Sequence, residues 1–109
     1  MNMQQKVNIK EQNKSYIINI LISKGSFWSY NMNQSKIDDN SIIEKALLYL
    51  DFEDMEKLFV CYSKRKIKDI WKRRLLSQGD YYGKINWLLA VMFFDIKQPN
   101  KYLKRYARH

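Results

Sequence analysis

The sequence predicts an all-α fold: a compact bundle of about five helices around a central hydrophobic helix at residues 81–95, preceded by a flexible N-terminal leader. Three observations lead there. Eight apolar residues run unbroken from Trp87 to Phe94, and a helix apolar on every side asks to be covered on every side. Elsewhere the apolar residues recur at three- and four-residue spacing, the period of a one-sided helix. Three Gly and one Pro in 109 residues leave little of the turn chemistry that an all-β chain needs. With 46% hydrophobic and 15% aromatic residues, a core is feasible, and the length fits one domain, expected over 15–109.

Met1 to Lys14 is polar apart from Met3, Val7 and Ile9 and reads as a mobile leader. No apolar stretch follows a basic start there, so no secretory signal is expected. Tyr16 to Ile22 is apolar except for Asn19. Its β-branched residues allow a strand, but a lone strand has no partner here, so a helix or an extended packed segment is favoured. Lys24-Gly25-Ser26 ends it. Phe27, Trp28 and Tyr30 open a loop rich in Asn, Ser and Gln that lasts to Asn40. Such aromatics can stack bases, although anchoring the loop on a helical core is the simpler role.

A helix is expected over 41–50, with Ser41 and Glu44 as a capping box and Ile43, Ala46, Leu47 and Leu50 as its inner stripe. Asp51 then caps a second helix over 52–62, with Met55, Leu58 and Phe59 inward. Glu53, Asp54 and Glu56 sit in its first turns, where the helix dipole favours negative charge. This acidic cluster has neither a His nor a Ca-loop glycine beside it, so capping explains it better than metal binding. Ser63 caps a third helix over 64–76. Ile67, Ile70, Trp71 and Leu75 form its stripe, and Arg65, Lys66, Lys72 and Arg73 fall on the opposite side. Arg74 lies near the stripe and is expected to snorkel or to pair with an acid. Asp80 is a cap candidate for the central helix, and Gly83 either weakens its first turn or lets another segment approach closely. Pro99 fits the first position of a last helix, 99–107. There Tyr102, Leu103 and Tyr106 face inward and Lys101, Lys104 and Arg105 outward.

The net charge is +9 and unevenly spread. Residues 1–61 carry −1, whereas residues 62–109 carry +10 and every arginine. This asymmetry points to an anionic partner, either nucleic acid or an acidic protein surface. The expected binding face comprises Arg65, Lys66, Lys72, Arg73, Lys101, Lys104 and Arg105. No catalytic constellation emerges. The single His is residue 109, there is no Gly-rich phosphate loop and no paired Cys motif. Cys61 reads as a small core residue, and with one cysteine there is no internal disulfide, which suits a reducing, cytoplasmic setting. No enzyme activity, metal or cofactor is expected, and no apolar run reaches the ~20 residues that span a bilayer.

The C-terminal half resembles a group of small helical bacterial proteins encoded beside nucleotidyltransferase toxins of the AbiEii/AbiGii type. The likeness is carried by Ser41 to Leu47, Asp51 to Asp54, Ile67 to Trp71 with Arg74-Leu75, Tyr81-Tyr82, Asn86 to Ala90, Phe93 to Lys97, Pro99 and Tyr102-Leu103. It spans roughly residues 27–106. It implies a non-enzymatic, antitoxin-like component that associates with such a toxin enzyme, and it brings no catalytic residues. Nucleic-acid binding through the same basic helices is the alternative, and a small nuclease is a distant third.

Overall fold

The computed structural model describes residues 3–25 and 37–106. The protein is all-α: among the described residues every regular element is helical. The aromatic cluster Phe27 to Tyr30, the polar stretch from there to residue 36, and Arg108 and His109 lie outside the described residues, whereas Asp39 and Asn40, expected in the loop, are the first residues of a helix. The chain forms two compact units, Met1–Ile67 and Lys68–His109.

The N-terminal unit packs three helices. α1 spans Met3–Ser23, so the boundary expected at residue 14 is not a helix end: the polar leader stretch and Tyr16 to Ile22 are one helix. Ile17, Ile18 and Leu21 are buried, an i, i+1, i+4 stripe that docks α1 chiefly on α3. The β-branched residues there did not make a strand, because tertiary burial of a helical stripe outweighs a weak intrinsic propensity. Gly25 at φ 77 closes the helix in the left-handed region that glycine enters without penalty.

α2 covers Asp39–Tyr49 and starts one turn-step earlier than the capping-box reading allowed. Asp38 is the cap: its Oδ1 accepts the Ser41 amide at 2.8 Å. Asp and Ser cap equally well, and the one that precedes the helical residues wins. The inner stripe is as expected, with Ile43, Ala46, Leu47 and Leu50 buried; of the two residues whose position predicts that they widen it, Ile42 is buried and Tyr49 is exposed. A single 3-10 turn, Phe52–Asp54, leads into α3, Met55–Cys61. Asp51 precedes that turn but makes no capping bond; its carboxylate instead takes Lys24 Nζ at 3.1 Å. Met55, Leu58 and Cys61 point inward.

α4, Lys64–Ile70, begins at Ser63, whose Oγ accepts the Lys66 amide at 3.1 Å as the sequence predicts. The expected helix to Leu76 changes pitch at Trp71. Residues Trp71–Leu75 form a π turn, and Leu76–Tyr82 a 3-10 stretch. α5 therefore begins at Gly83 and ends at Met92, and α6 runs Pro99–Tyr106 with Pro99 at its first position. Nothing lies within 4 Å of a Cβ built on Gly83, so no close approach requires this glycine.

The C-terminal unit is built around Trp71. Its ring stacks on Phe94 at 4.6 Å and on Tyr102 at 5.9 Å. Asn86, at 2% exposure, joins the two halves of this core: Trp71 Nε1 donates to its Oδ1 at 3.0 Å, and its Nδ2 donates to the Leu75 carbonyl at 3.2 Å. The wide turn that ends at Leu75 shifts the backbone ladder, and side-chain donors answer it, with Ser77 Oγ donating to the Arg73 carbonyl at 2.6 Å. α5 is not covered on every side. Leu89 and Ala90 are buried, while Trp87, Leu88, Val91 and Met92 are 42, 53, 37 and 49% exposed. α5 ends where Asp95 takes φ 52 and the Ile96 amide returns to the Ala90 carbonyl at 3.0 Å.

Candidate functional site

The seven cations expected to form one binding face fall in both units. In the N-terminal unit, Arg65 and Lys66 are exposed on α4. Lys66 also serves a local cluster: its Nζ lies 5.8 Å from the centre of the Tyr62 ring. Tyr62 Oη donates to Asp39 Oδ1 at 2.7 Å, and Lys14 Nζ reaches the same oxygen at 3.3 Å. The Tyr62 bond, with the Lys14 and Lys66 charges, holds the Asp39 carboxyl below its usual range, against the opposing cost of burial. Burial, and then the Asp39 carboxylate, push the Tyr62 phenol up. This arrangement fixes α2 to the end of α3 and is structural.

In the C-terminal unit, Lys72 is half-buried with Nζ 5.6 Å from the centre of the Tyr102 ring. Arg73 is exposed and pairs with Asp69 at 3.1 Å, one helical turn back. Lys101, Lys104 and Arg105 are exposed on α6. At about 100° per residue they share one third of that helix's circumference. The helix that presents them is anchored by Tyr102 and Leu103, both half-buried, and by the Trp71–Tyr102 stack. Arg74 is half-buried and makes an interaction of its own.

Lys101 and Arg105 line a cleft of about 610 Å³, together with Tyr102 and the α5–α6 connection, Asp95, Ile96, Lys97 and Gln98. Lys97 and Gln98 were not anticipated. The signal was present as a Lys-Gln pair directly before Pro99, but a link between helices gives no facing direction until the helices are placed. The second surface feature is the apolar strip of α5. Trp87, Leu88, Val91 and Met92 are spaced i, i+1, i+4, i+5, which places them on one side of the helix with the exposed Lys84.

Cys61 is buried, and its Sγ donates to the Lys10 carbonyl at 3.6 Å; burial raises the thiol's pKa, the environment of an inert core cysteine. The acidic cluster is dispersed over separate partners: Asp51 on Lys24, and Asp54 on the Tyr16 hydroxyl at 3.3 Å. Among the described residues no group of three His, Cys, Asp or Glu is placed to hold a metal ion. No helix among them is long and apolar enough to cross a membrane. No family model, curated protein or solved structure matches this chain.

Proposed function

We propose that this chain is a non-enzymatic interaction protein, an antitoxin-like component that binds a partner enzyme through its basic C-terminal helices. The exposed apolar strip of α5 carries the reading. Four large apolar side chains on one helix face remain between 37 and 53% exposed. A strip of this kind in a basic unit fits a protein surface with an apolar groove edged by carboxylates. Lys84 lies on the strip itself, and Lys101, Lys104 and Arg105 on α6 add positive charge in the same unit. The resemblance to proteins encoded beside nucleotidyltransferase toxins supplies the class of partner.

The test is co-expression with the product of a neighbouring nucleotidyltransferase-type gene, followed by purification after nuclease treatment. A stoichiometric complex is expected, lost in the double variant Leu88→Glu, Met92→Glu and weakened by Lys101→Glu with Arg105→Glu. Absence of a complex with the parent chain refutes the reading.

The exposed row Lys101, Lys104 and Arg105 favours a second reading, contact with nucleic-acid phosphates through the basic helices, including Arg65, Lys66, Lys72 and Arg73. That reading predicts recovery of nucleic acid, with affinity falling about 0.9 log units per log unit of salt for each phosphate neutralised on duplex DNA. Salt-independent recovery of a protein partner alone rules it out.

A further inference from the structure

The α5–α6 connection and the first two turns of α6 line an open cleft in the C-terminal unit, and its charge is lopsided. Lys97 comes from the connection, Lys101 and Arg105 come from α6, and Asp95 is the one carboxylate on its wall. Cations that converge on a concavity from two elements concentrate anions there. The backbone adds to this field. The Tyr102 amide bonds back to the Gln98 carbonyl at 3.0 Å, so the amides of Asn100 and Lys101 belong to the first turn, which has no intrahelical acceptors. The positive end of the α6 dipole thus lies where Gln98 and Lys101 line the cleft.

We propose that this cleft binds a phosphate-bearing ligand of nucleotide size. Its volume of about 610 Å³ is larger than one phosphate needs and falls within the range of small-molecule sites, roughly 300–1,000 Å³. Arg105 offers the planar fork that suits phosphate oxygens, and Lys97 and Lys101 offer point charges. Tyr102 is committed to the core by its stack on Trp71 and carries Lys72 over its ring, so it is poorly placed to read a base. The phosphate carries the affinity and the base contributes little. Lys101 and Arg105 also belong to the basic face of the partner reading, but the α5 strip lies outside the cleft, so failure of phosphate binding in the folded parent leaves a strip-dependent complex standing, and loss of the complex in Leu88→Glu, Met92→Glu leaves the phosphate site standing.

The full chain is titrated calorimetrically, at about 150 mM salt to screen surface charge, with adenosine, adenosine monophosphate, inorganic phosphate, and one short oligonucleotide with and without a 5′-phosphate. Adenosine monophosphate is expected to bind and adenosine not to. Lys101→Ala and Arg105→Ala each weaken binding about tenfold or more, the effect of losing one charge-assisted hydrogen bond. Asp95→Asn keeps a residue that tolerates the left-handed backbone and tightens binding severalfold by removing the carboxylate, a gain that a merely structural change does not produce. Lys10→Ala, on α1 and outside the cleft, leaves binding unchanged. Preference for the 5′-phosphorylated oligonucleotide over the mononucleotide identifies a nucleic-acid end as the source of the phosphate; equal binding identifies a free nucleotide. Equal binding of adenosine and its monophosphate, or no binding of any phosphate probe at millimolar concentration by the folded parent, overturns the proposal. Unchanged affinity in all three cleft variants overturns it as well.

Discussion

Replacing Asn86 by Leu removes the hinge of the C-terminal core while nearly conserving volume. The side chain is 2% exposed and holds two groups at once: the Trp71 indole N–H at 3.0 Å and the Leu75 carbonyl at 3.2 Å. Leucine serves neither. Each buried polar group left without a partner costs about 1–3 kcal/mol, so the two together cost roughly 2–6 kcal/mol. Burying a leucine side chain returns about 1.5–3 kcal/mol, and a net loss of about 0.5–3 kcal/mol is expected. Urea denaturation followed by far-UV circular dichroism and tryptophan fluorescence measures it. The cycle with Trp71→Phe isolates the cause. Phenylalanine has no indole donor, so Asn86→Leu costs about 1 kcal/mol less in the Trp71→Phe background than alone. Additivity of the two substitutions, or a loss below about 0.5 kcal/mol for Asn86→Leu alone, refutes the claim that this asparagine acts through its two hydrogen bonds.

Three further outcomes follow from the geometry. Tyr62→Phe removes the 2.7 Å bond to Asp39 and is expected to cost about 0.5–1.5 kcal/mol near neutral pH. Because Asp39 titrates below its usual range in the folded chain, its contribution is full above the unfolded carboxyl pKa and is lost as pH falls through the folded value. The variant therefore shows a shallower acid limb below about pH 4 in urea melts taken at several pH values. Gly83→Ala has open space at the start of α5 and is expected to raise stability by up to ~1 kcal/mol, while Gly25→Ala, at φ 77, lowers it by about 1 kcal/mol; thermal melts that rank them in the opposite order refute this. At Asp95, φ 52, the β-branched Asp95→Val costs about 1–2 kcal/mol more than Asp95→Gly, which lacks the side-chain clash of that backbone conformation, read from the same melts.

The helical class and most of the core were legible because burial leaves a periodic mark. Ile43, Ala46, Leu47 and Leu50, and likewise Ile67, Ile70, Trp71 and Leu75, are buried as their spacing implies, and Ser63 and Pro99 occupy the cap and first-turn positions that their chemistry suits. α1 was only half legible, since its first 14 residues offer few apolar positions and its path is set by Ile17, Ile18 and Leu21 farther along. The π turn at Trp71 was hidden because no Gly or Pro marks it and the apolar spacing tolerates one wide turn. The run Trp87 to Phe94 misled for a related reason: when every position is apolar, periodicity cannot say which face is covered. As for the candidate site, the α6 cations were readable from the helical wheel of Lys101, Lys104 and Arg105. Lys97 and the cleft were not, since they exist only once the connection folds against α6.

The two faces of α5 explain why a strongly apolar helix sits in so basic a unit. Asn86, Leu89 and Ala90 form the side that faces the core, and this side alone satisfies the needs of folding. Trp87, Leu88, Val91 and Met92 are only about half covered by the fold and leave apolar surface in water, a burden that invites self-association. Positive charge offsets it, because like-charged copies repel at the distances where such strips would otherwise meet. The same charge does not repel an acidic partner. Under the proposed function, positive charge in the same unit as the apolar strip discriminates between two encounters, weakening contact with a second copy and favouring contact with a carboxylate-edged groove. This argument makes salt the deciding variable. Raising ionic strength screens both effects, so it should promote self-association of the free chain while slowing capture by the proposed partner. Light scattering of the free chain and association rates of the complex, measured over one salt series, move in opposite senses under this account. Self-association that declines with added salt contradicts it.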